Sequence, residues 1–361
     1  MASLCLIKHL QITCKRKLPR NWVSFSQFSF CACERAAASN NCNGYNDDTL
    51  RNEKIFIYSH DDDVMHFDAV IQDTAPSGSC QGTVIACHGA PGSHEDFKYF
   101  LPYLKNMGVR FVGINFPGFG YTASHPKLRY DNRERLEFAQ QIVKRLDSNA
   151  KLVFVGHSRG SETALKLSVL NKERTTAVVL INPLTLLINR GLRPLWRIRL
   201  FAWLWNLGNV AQFILRPAVY LVYRYLVKLR ANTGNIAAAS ALSMNTLHLE
   251  SQIEYIHKLN HSDIGVFIAY SGCDPFIEPE LSMHFADSFN DIKHLVCHPG
   301  ITNESIAFDD IRKLVEAGAR RIAVYFPEDD HFIQKHRAKL LTEIIRLMLK
   351  EKHNSKIAEQ C

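Results

Sequence analysis

No acidic residue precedes Glu34, and none lies between Glu173 and Glu250. Long unbroken apolar runs are also missing. The most apolar part, residues 200–229, is cut by Asn206, Asn209, Gln212, Arg216, Pro217 and Arg224. A bilayer span needs about 20 mostly apolar residues, so this stretch does not read as a crossing helix. The ten cysteines contain no C-x-x-C pair, and no histidine spacing completes a zinc site. Cys5, Cys14, Cys31, Cys33 and Cys42 crowd the N-terminal tail while the other five are scattered. That distribution reads as reduced thiols in an intracellular protein, not as an oxidised framework. Helix-turn-helix, finger and aromatic RNA-binding signatures are absent, as is any long Lys/Arg block, so nucleic acid is not an expected partner.

What is present has the balance of a soluble globular enzyme. Of 361 residues, 47% are hydrophobic and 22% charged, enough for one large α/β domain with an insertion or for two domains of moderate size. The formal net charge of +8 is unevenly spread, since nine basic residues fall between Arg174 and Arg230. Residues 1–43 read as a leader. Lys8, Lys15, Arg16, Lys17 and Arg20 stand among serines with no acid before Glu34, the composition of a mitochondrial transit peptide. Lys8 and His9 interrupt the apolar core a secretory signal would need. The alternative is an untargeted disordered tail on a cytoplasmic protein.

From Glu53 onward strands alternate with helices. Residues 54–58, 65–72, 82–87, 109–114, 152–155, 177–181, 264–270 and 321–326 read as strands. Helical spacing is expected near residues 97–104, 133–146, 278–289, 305–317 and 332–349. Such alternation predicts a mostly parallel sheet flanked by helices on both faces. Residues 183–262 break the pattern with stretches rich in Leu, Trp, Tyr and Arg. They are expected to form a helical lid inserted between two strands. An interfacial role for its cationic, aromatic face is a further expectation. The core is thus expected over residues 53–182 and 263–350, with a polar, disordered tail over residues 351–361.

Within this frame, Gly156-His157-Ser158-Arg159-Gly160 stands between an apolar strand and a helical pattern. That context turns a G-x-S-x-G match into a nucleophile elbow, where Ser158 is exposed at a sharp turn that its glycine neighbours make room for. A serine hydroxyl needs a base, and the base needs a carboxylate to fix its tautomer. Asp274 and His331 each follow a strand, in the chain order Ser, Asp, His. Parallel strands open their following loops on one edge, where ligands bind. The oxyanion donors are expected to be the backbone N–H groups of Arg159 and of Ala90, in the loop His88-Gly89-Ala90-Pro91-Gly92. His88 reads as a structural residue of that loop. His336 is the rival base, Asp329 and Asp330 are rival acids, and His284, His294 and His298 read as surface histidines. The Arg159 side chain is expected to pair with Glu134 or Glu137, or to meet a substrate anion.

The elbow and the His88–Gly92 loop together resemble the α/β-hydrolase superfamily in its esterase- and lipase-like branch, over about residues 53–350. The run from Gly156 to Leu165 also resembles that of a little-characterised invertebrate set of unknown function. The resemblance implies an eight-stranded sheet, a helical lid after the sixth strand, and neither metal nor organic cofactor. Serine at the elbow disfavours the epoxide hydrolase and haloalkane dehalogenase branches. Three features depart from the family pattern: Asn115 replaces an aspartate, Asp330 replaces a glycine, and the stretch from Asp274 to Arg321 is longer than usual. The expected function is a serine hydrolase cleaving an ester or thioester with an apolar, lipid-like acyl portion through an acyl-enzyme on Ser158. The alternative is a catalytically silent relative that binds ligands or a membrane surface.

Overall fold

The computed structural model describes residues 49–357. The expected leader, residues 1–43, lies outside them, as do residues 358–361. Nine strands form one sheet: β1 (Leu50–Tyr58), β2 (Val64–Asp73), β3 (Thr83–Cys87), β4 (Arg110–Ile114), β5 (Leu152–His157), β6 (Thr175–Ile181), β7 (Gly265–Ser271), β8 (Lys293–Val296) and β9 (Arg321–Phe326). Their spatial order is β1-β2-β4-β3-β5-β6-β7-β9-β8. Only the β1–β2 and β2–β4 pairs are antiparallel.

The expectation of eight strands is therefore corrected to nine. The additional strand is β8, paired in parallel with β9 at the edge of the sheet. With its four residues mostly exposed, it carries neither the length nor the apolar alternation that marks a strand in sequence. It also accounts for the long stretch before β9, which holds α8 (Pro279–Ala286), β8 and α9 (Ile301–Glu316).

The central strands are buried on both faces, so their sequences are continuous apolar runs such as Thr83–Cys87 and Thr175–Ile181. Alternate residues feed two cores. Leu152 and Phe154 of β5 join Phe138 and Ile142 of α2 (Asn132–Lys144) and Leu165 of α3 (Arg159–Leu170). Val153 and Val155 instead meet Phe97, Leu104 of α1 (Leu101–Asn106) and Leu341 and Ile344 of α11 (Ala338–Ile357). Helix α2 starts where Asp131 accepts the Glu134 N–H at 2.9 Å, a side-chain N-cap. The closing pattern over residues 332–349 divides into α10 (Ile333–His336) and α11, with Arg337 between them.

Between β6 and β7 the chain is helical: α4 (Leu195–Trp205), α5 (Asn209–Leu221), a π-helical turn (Val222–Val227), α6 (Gly234–Asn245) and α7 (Ile253–Asn260). This insertion has a small core of its own, in which Val219 and Tyr223 meet Ala237, Ala238 and Ala241. None of the described helices is long and apolar enough to cross a membrane.

Candidate active site

Strand β5 hands directly to helix α3 through Ser158, whose backbone sits at φ 50° and ψ −120°. A non-glycine residue there is strained, and it persists only because its surroundings over-determine it. The Ser158 N–H donates to the Ile181 carbonyl at 3.0 Å, and Ser161 Oγ donates to the Ser158 carbonyl at 2.6 Å. The turn is thereby tied to β6 on one side and to the first turn of α3 on the other.

His331 follows β9 and Asp274 follows β7, neighbouring strands in the sheet. His331 Nδ1 lies 2.6 Å from Asp274 Oδ2, with both side chains buried. The other Asp274 oxygen, Oδ1, accepts the N–H groups of Phe276 at 2.7 Å and Ile277 at 3.1 Å. A carboxylate so held presents its second oxygen to the Nδ1–H tautomer of the imidazole and leaves Nε2 with a lone pair. Ser158 and His331 line one cavity of about 490 Å³, together with Gly89, Ala90 and a mostly apolar wall that the helical insertion supplies.

The rival groups are engaged elsewhere. Asp329 receives Arg337 Nε at 2.6 Å and Nη2 at 2.9 Å. Asp330, in the glycine's place, accepts the Phe332 N–H at 2.8 Å in the turn before the next helix and lies 3.7 Å from His336 Nε2. His284, His294 and His298 are exposed. His88 Nδ1 donates to the Gly89 carbonyl at 2.6 Å while its Nε2 accepts the Phe116 N–H at 3.2 Å. Burial, reinforced by the nearby Arg135 charge, holds His88 well below the ordinary histidine range. It is a neutral tie between two loops. Asn115, in the aspartate's place, accepts from His94 N at 3.0 Å and donates from Nδ2 to the Val70 carbonyl at 2.9 Å. A carboxylate could not make the second bond.

The Arg159 side chain corrects the sequence expectation. It is fully buried and pairs with Glu162 at 2.9 Å and Asn132 Oδ1 at 2.6 Å, not with Glu134 or Glu137. Glu162 also pairs with Lys166. Glu134 instead accepts the backbone N–H groups of Arg129 and Tyr130, and Glu137 that of Tyr58. The guanidinium is thus part of a buried network under the elbow. The Arg159 backbone N–H, first of helix α3, has no intrahelical partner four residues back and is a free donor by position.

Two residues that sequence reasoning passed over hold the His331 loop. Asn182, directly after β6 at φ 40°, donates from Nδ2 to the His331 carbonyl at 3.0 Å, and its Oδ1 accepts the Ser271 N–H at 2.9 Å. His157 Nε2 donates to the same His331 carbonyl at 2.9 Å. Burial, with His331 adjacent, pushes His157 down to about 3, so it donates as a neutral ring. An asparagine closing a strand before Pro183 was the available signal, since asparagine tolerates positive φ.

Asp96, half-buried below the Ala90 loop, is pushed up to about 7 by burial, against the opposing backbone N–H groups of Ser93 and Gly89. The folded protein then keeps a proton between the ordinary carboxyl value and about pH 7 that the unfolded chain releases, so stability falls as pH rises through that window. Asp96→Asn removes the penalty. Its Tm gain over the parent protein should grow from pH 5 to about pH 7 and level off above that, measured by thermal melts in matched buffers, and a gain independent of pH would contradict this assignment.

A mostly parallel sheet wrapped by helices, with serine at a strained strand-to-helix turn and an Asp–His pair on the next loops, defines an α/β-hydrolase. The family model described as "Alpha/beta hydrolase of unknown function (DUF1057)" matches residues 52–350, and the chain belongs to that family. It is 28% identical to an uncharacterised protein of Caenorhabditis elegans over 282 residues, covering 76% of this chain and 79% of the relative. Over 117 residues it is 31% identical to 2-hydroxy-6-oxo-6-(2'-aminophenyl)hexa-2,4-dienoic acid hydrolase of Metapseudomonas resinovorans, covering 31% of this chain and 40% of that enzyme. Among solved structures, an esterase from Thermogutta terrifontis superposes with a TM-score of 0.53 at 15% identity, covering 83% of this chain and 98% of its own. The haloalkane dehalogenase DbeA from Bradyrhizobium elkani gives 0.57 at 12% identity, covering 85% and 99%. At these identities the superpositions speak for the fold alone.

Proposed function

We propose that this α/β-hydrolase is a serine hydrolase that cleaves an ester or thioester with an apolar acyl portion through an acyl-enzyme on Ser158. The observation that carries the reading is the 2.6 Å contact between His331 Nδ1 and Asp274 Oδ2, beside a serine on the wall of the same cavity. Ser158 Oγ attacks the carbonyl carbon while His331 Nε2 takes the hydroxyl proton. The carbonyl π pair moves to oxygen, where the N–H groups of Ala90 and Arg159 stabilise it. Collapse expels the alkoxide or thiolate, which leaves with the proton from His331. Water, giving a proton to the same nitrogen, then attacks the acyl carbon, and collapse breaks the acyl–Oγ bond, returns that proton to Ser158 Oγ and releases the acid. Asp274 keeps the imidazole in the required tautomer and stabilises the imidazolium, and needs no proton of its own.

The acyl preference follows from the walls. Phe201, Leu215, Val219, Tyr223, Leu229 and Met244 leave little to hydrogen-bond and much to desolvate an alkyl chain. Each methylene buried is worth about 0.8 kcal/mol, so kcat/KM should climb with acyl length until the cavity is filled. A series of p-nitrophenyl esters from acetate to dodecanoate tests this, with matching acyl thioesters alongside. Rising kcat/KM that vanishes in Ser158→Ala agrees with the reading. Hydrolysis of no member by the folded protein, or turnover that survives the substitution, contradicts it.

A further inference from the structure

Helices α4 and α5 are apolar on two opposite sides. Along α5 and the π-helical turn, Leu215, Ala218, Val219 and Val222 line the cavity. Half a helical turn away stand Val210, Phe213, Ile214 and Leu221, all exposed, Phe213 at 76%. On α4, Ile198 and Phe201 face the cavity, while Trp196 and Trp203 on the far side are each 60% exposed. A helix at a water interface keeps one polar face, and a helix apolar all round is covered on both. The two helices touch each other and rest on α6, so these exposed apolar side chains are carried on neighbouring helices.

The cavity opens alongside these helices. Leu226 lines it and is 76% exposed, and Val222 and Arg197 likewise both line it and reach solvent. The insertion's own charge is of one sign. Arg197, which lines the cavity, and Arg199, Arg216, Arg224 and Arg230 are exposed, and no acidic residue occurs between Glu173 and Glu250; Glu278, from outside that stretch, pairs with Arg193.

We infer that the outer face of this helical insertion docks on an anionic lipid bilayer, with the cavity mouth against the membrane. Tryptophan, tyrosine and phenylalanine among arginines suit the headgroup boundary, where rings enter the acyl region and guanidinium groups meet phosphate. A second copy of the chain is a poor occupant, because a two-fold contact would set this arginine-rich surface against itself. The inference rests on the surface alone and holds whether or not Ser158 turns over substrate, so it is tested in the full-length Ser158→Ala protein. Sedimentation with phosphatidylcholine vesicles should recover little protein, and vesicles with added phosphatidylglycerol should recover most of it. Raising the salt should release it. Arg216→Gln and Arg199→Gln should each weaken partition to the anionic vesicles by about fivefold. Phe213→Asp and Trp203→Asp, at exposed positions where Tm should not move, should weaken it at least as much. The inference is overturned if the insertion variants bind like the parent, or if Lys15→Glu with Arg16→Glu in the basic N-terminal segment abolishes binding instead. Equal binding to both vesicle types overturns it too, as does a lipid-free dimer that Phe213→Asp splits into monomers.

Discussion

Ser158→Ala and His331→Ala are each expected to lower kcat on the best ester substrate by at least about 10⁴-fold, and the double variant should be no worse than either alone. Non-additivity is the informative part. In the proposed mechanism the proton leaves Ser158 only if His331 accepts it, so removing either partner removes the same step. Asp274→Asn should fall in the same range, because an amide that donates to Nδ1 would force the wrong imidazole tautomer. KM should change little, since the cavity walls come from the helical insertion rather than from the Asp–His pair. Steady-state rates on the variants, with folding checked by circular dichroism, decide the matter. Multiplicative losses, or a His331→Ala protein within tenfold of the parent, would mean that the imidazole acts elsewhere.

Gly160→Ala is expected to unfold the elbow rather than slow it. A Cβ at that position would lie 2.1 Å from the Cys87 carbonyl oxygen and 2.5 Å from that of His88. Both are backbone atoms of the strand and loop that carry the proposed oxyanion donor, so neither can swing aside as a side-chain end would. Gly156 is nearly as tight, its Cβ meeting Ser161 Cα at 2.5 Å. Forcing β3 away from α3 combines overpacking with strain at Ser158, and a loss of about 4 kcal/mol or more is expected. In a domain of this size that is a Tm drop of about 8 °C or beyond, or failure to accumulate as folded protein. A Gly160→Ala protein that melts within about 1 °C of the parent would show that α3 is not seated against Cys87 as described.

Much of this site was legible in the chain because its signals are local. A buried strand has one composition, a G-x-S-x-G turn has a steric reason, and the loops after parallel strands share an edge, so order alone pointed to Ser158, Asp274 and His331, and the structure pairs the last two and puts Ser158 on the same cavity as His331. Rivals such as Asp329 and His336 could not be set aside by spacing. What separates them is the Arg337 fork on Asp329 and the His336 contact of Asp330, which form only once β9 and the following helices are in place. The clamps on the His331 carbonyl stayed hidden for a similar reason, since Asn182 and His157 lie well over a hundred residues from it in the chain. The Arg159 partner was within reach, because Glu162 is one helical turn along the same helix and i,i+3 pairs meet. Strand β8 was not, because an exposed four-residue edge strand has no apolar period to read. In the insertion, composition announced helices but could not say which apolar side faced the cavity, since both sides of α4 and α5 look alike.

The account turns on whether Ser158 is a nucleophile activated by His331, and covalent labelling tests that most directly. Incubated with a fluorophosphonate and analysed by intact mass and peptide mapping, the folded protein should gain one adduct, on Ser158. His331→Ala should label far more slowly, and Ser158→Ala not at all. A folded protein that gains no adduct, or one whose adduct persists in Ser158→Ala, would contradict the account at its centre.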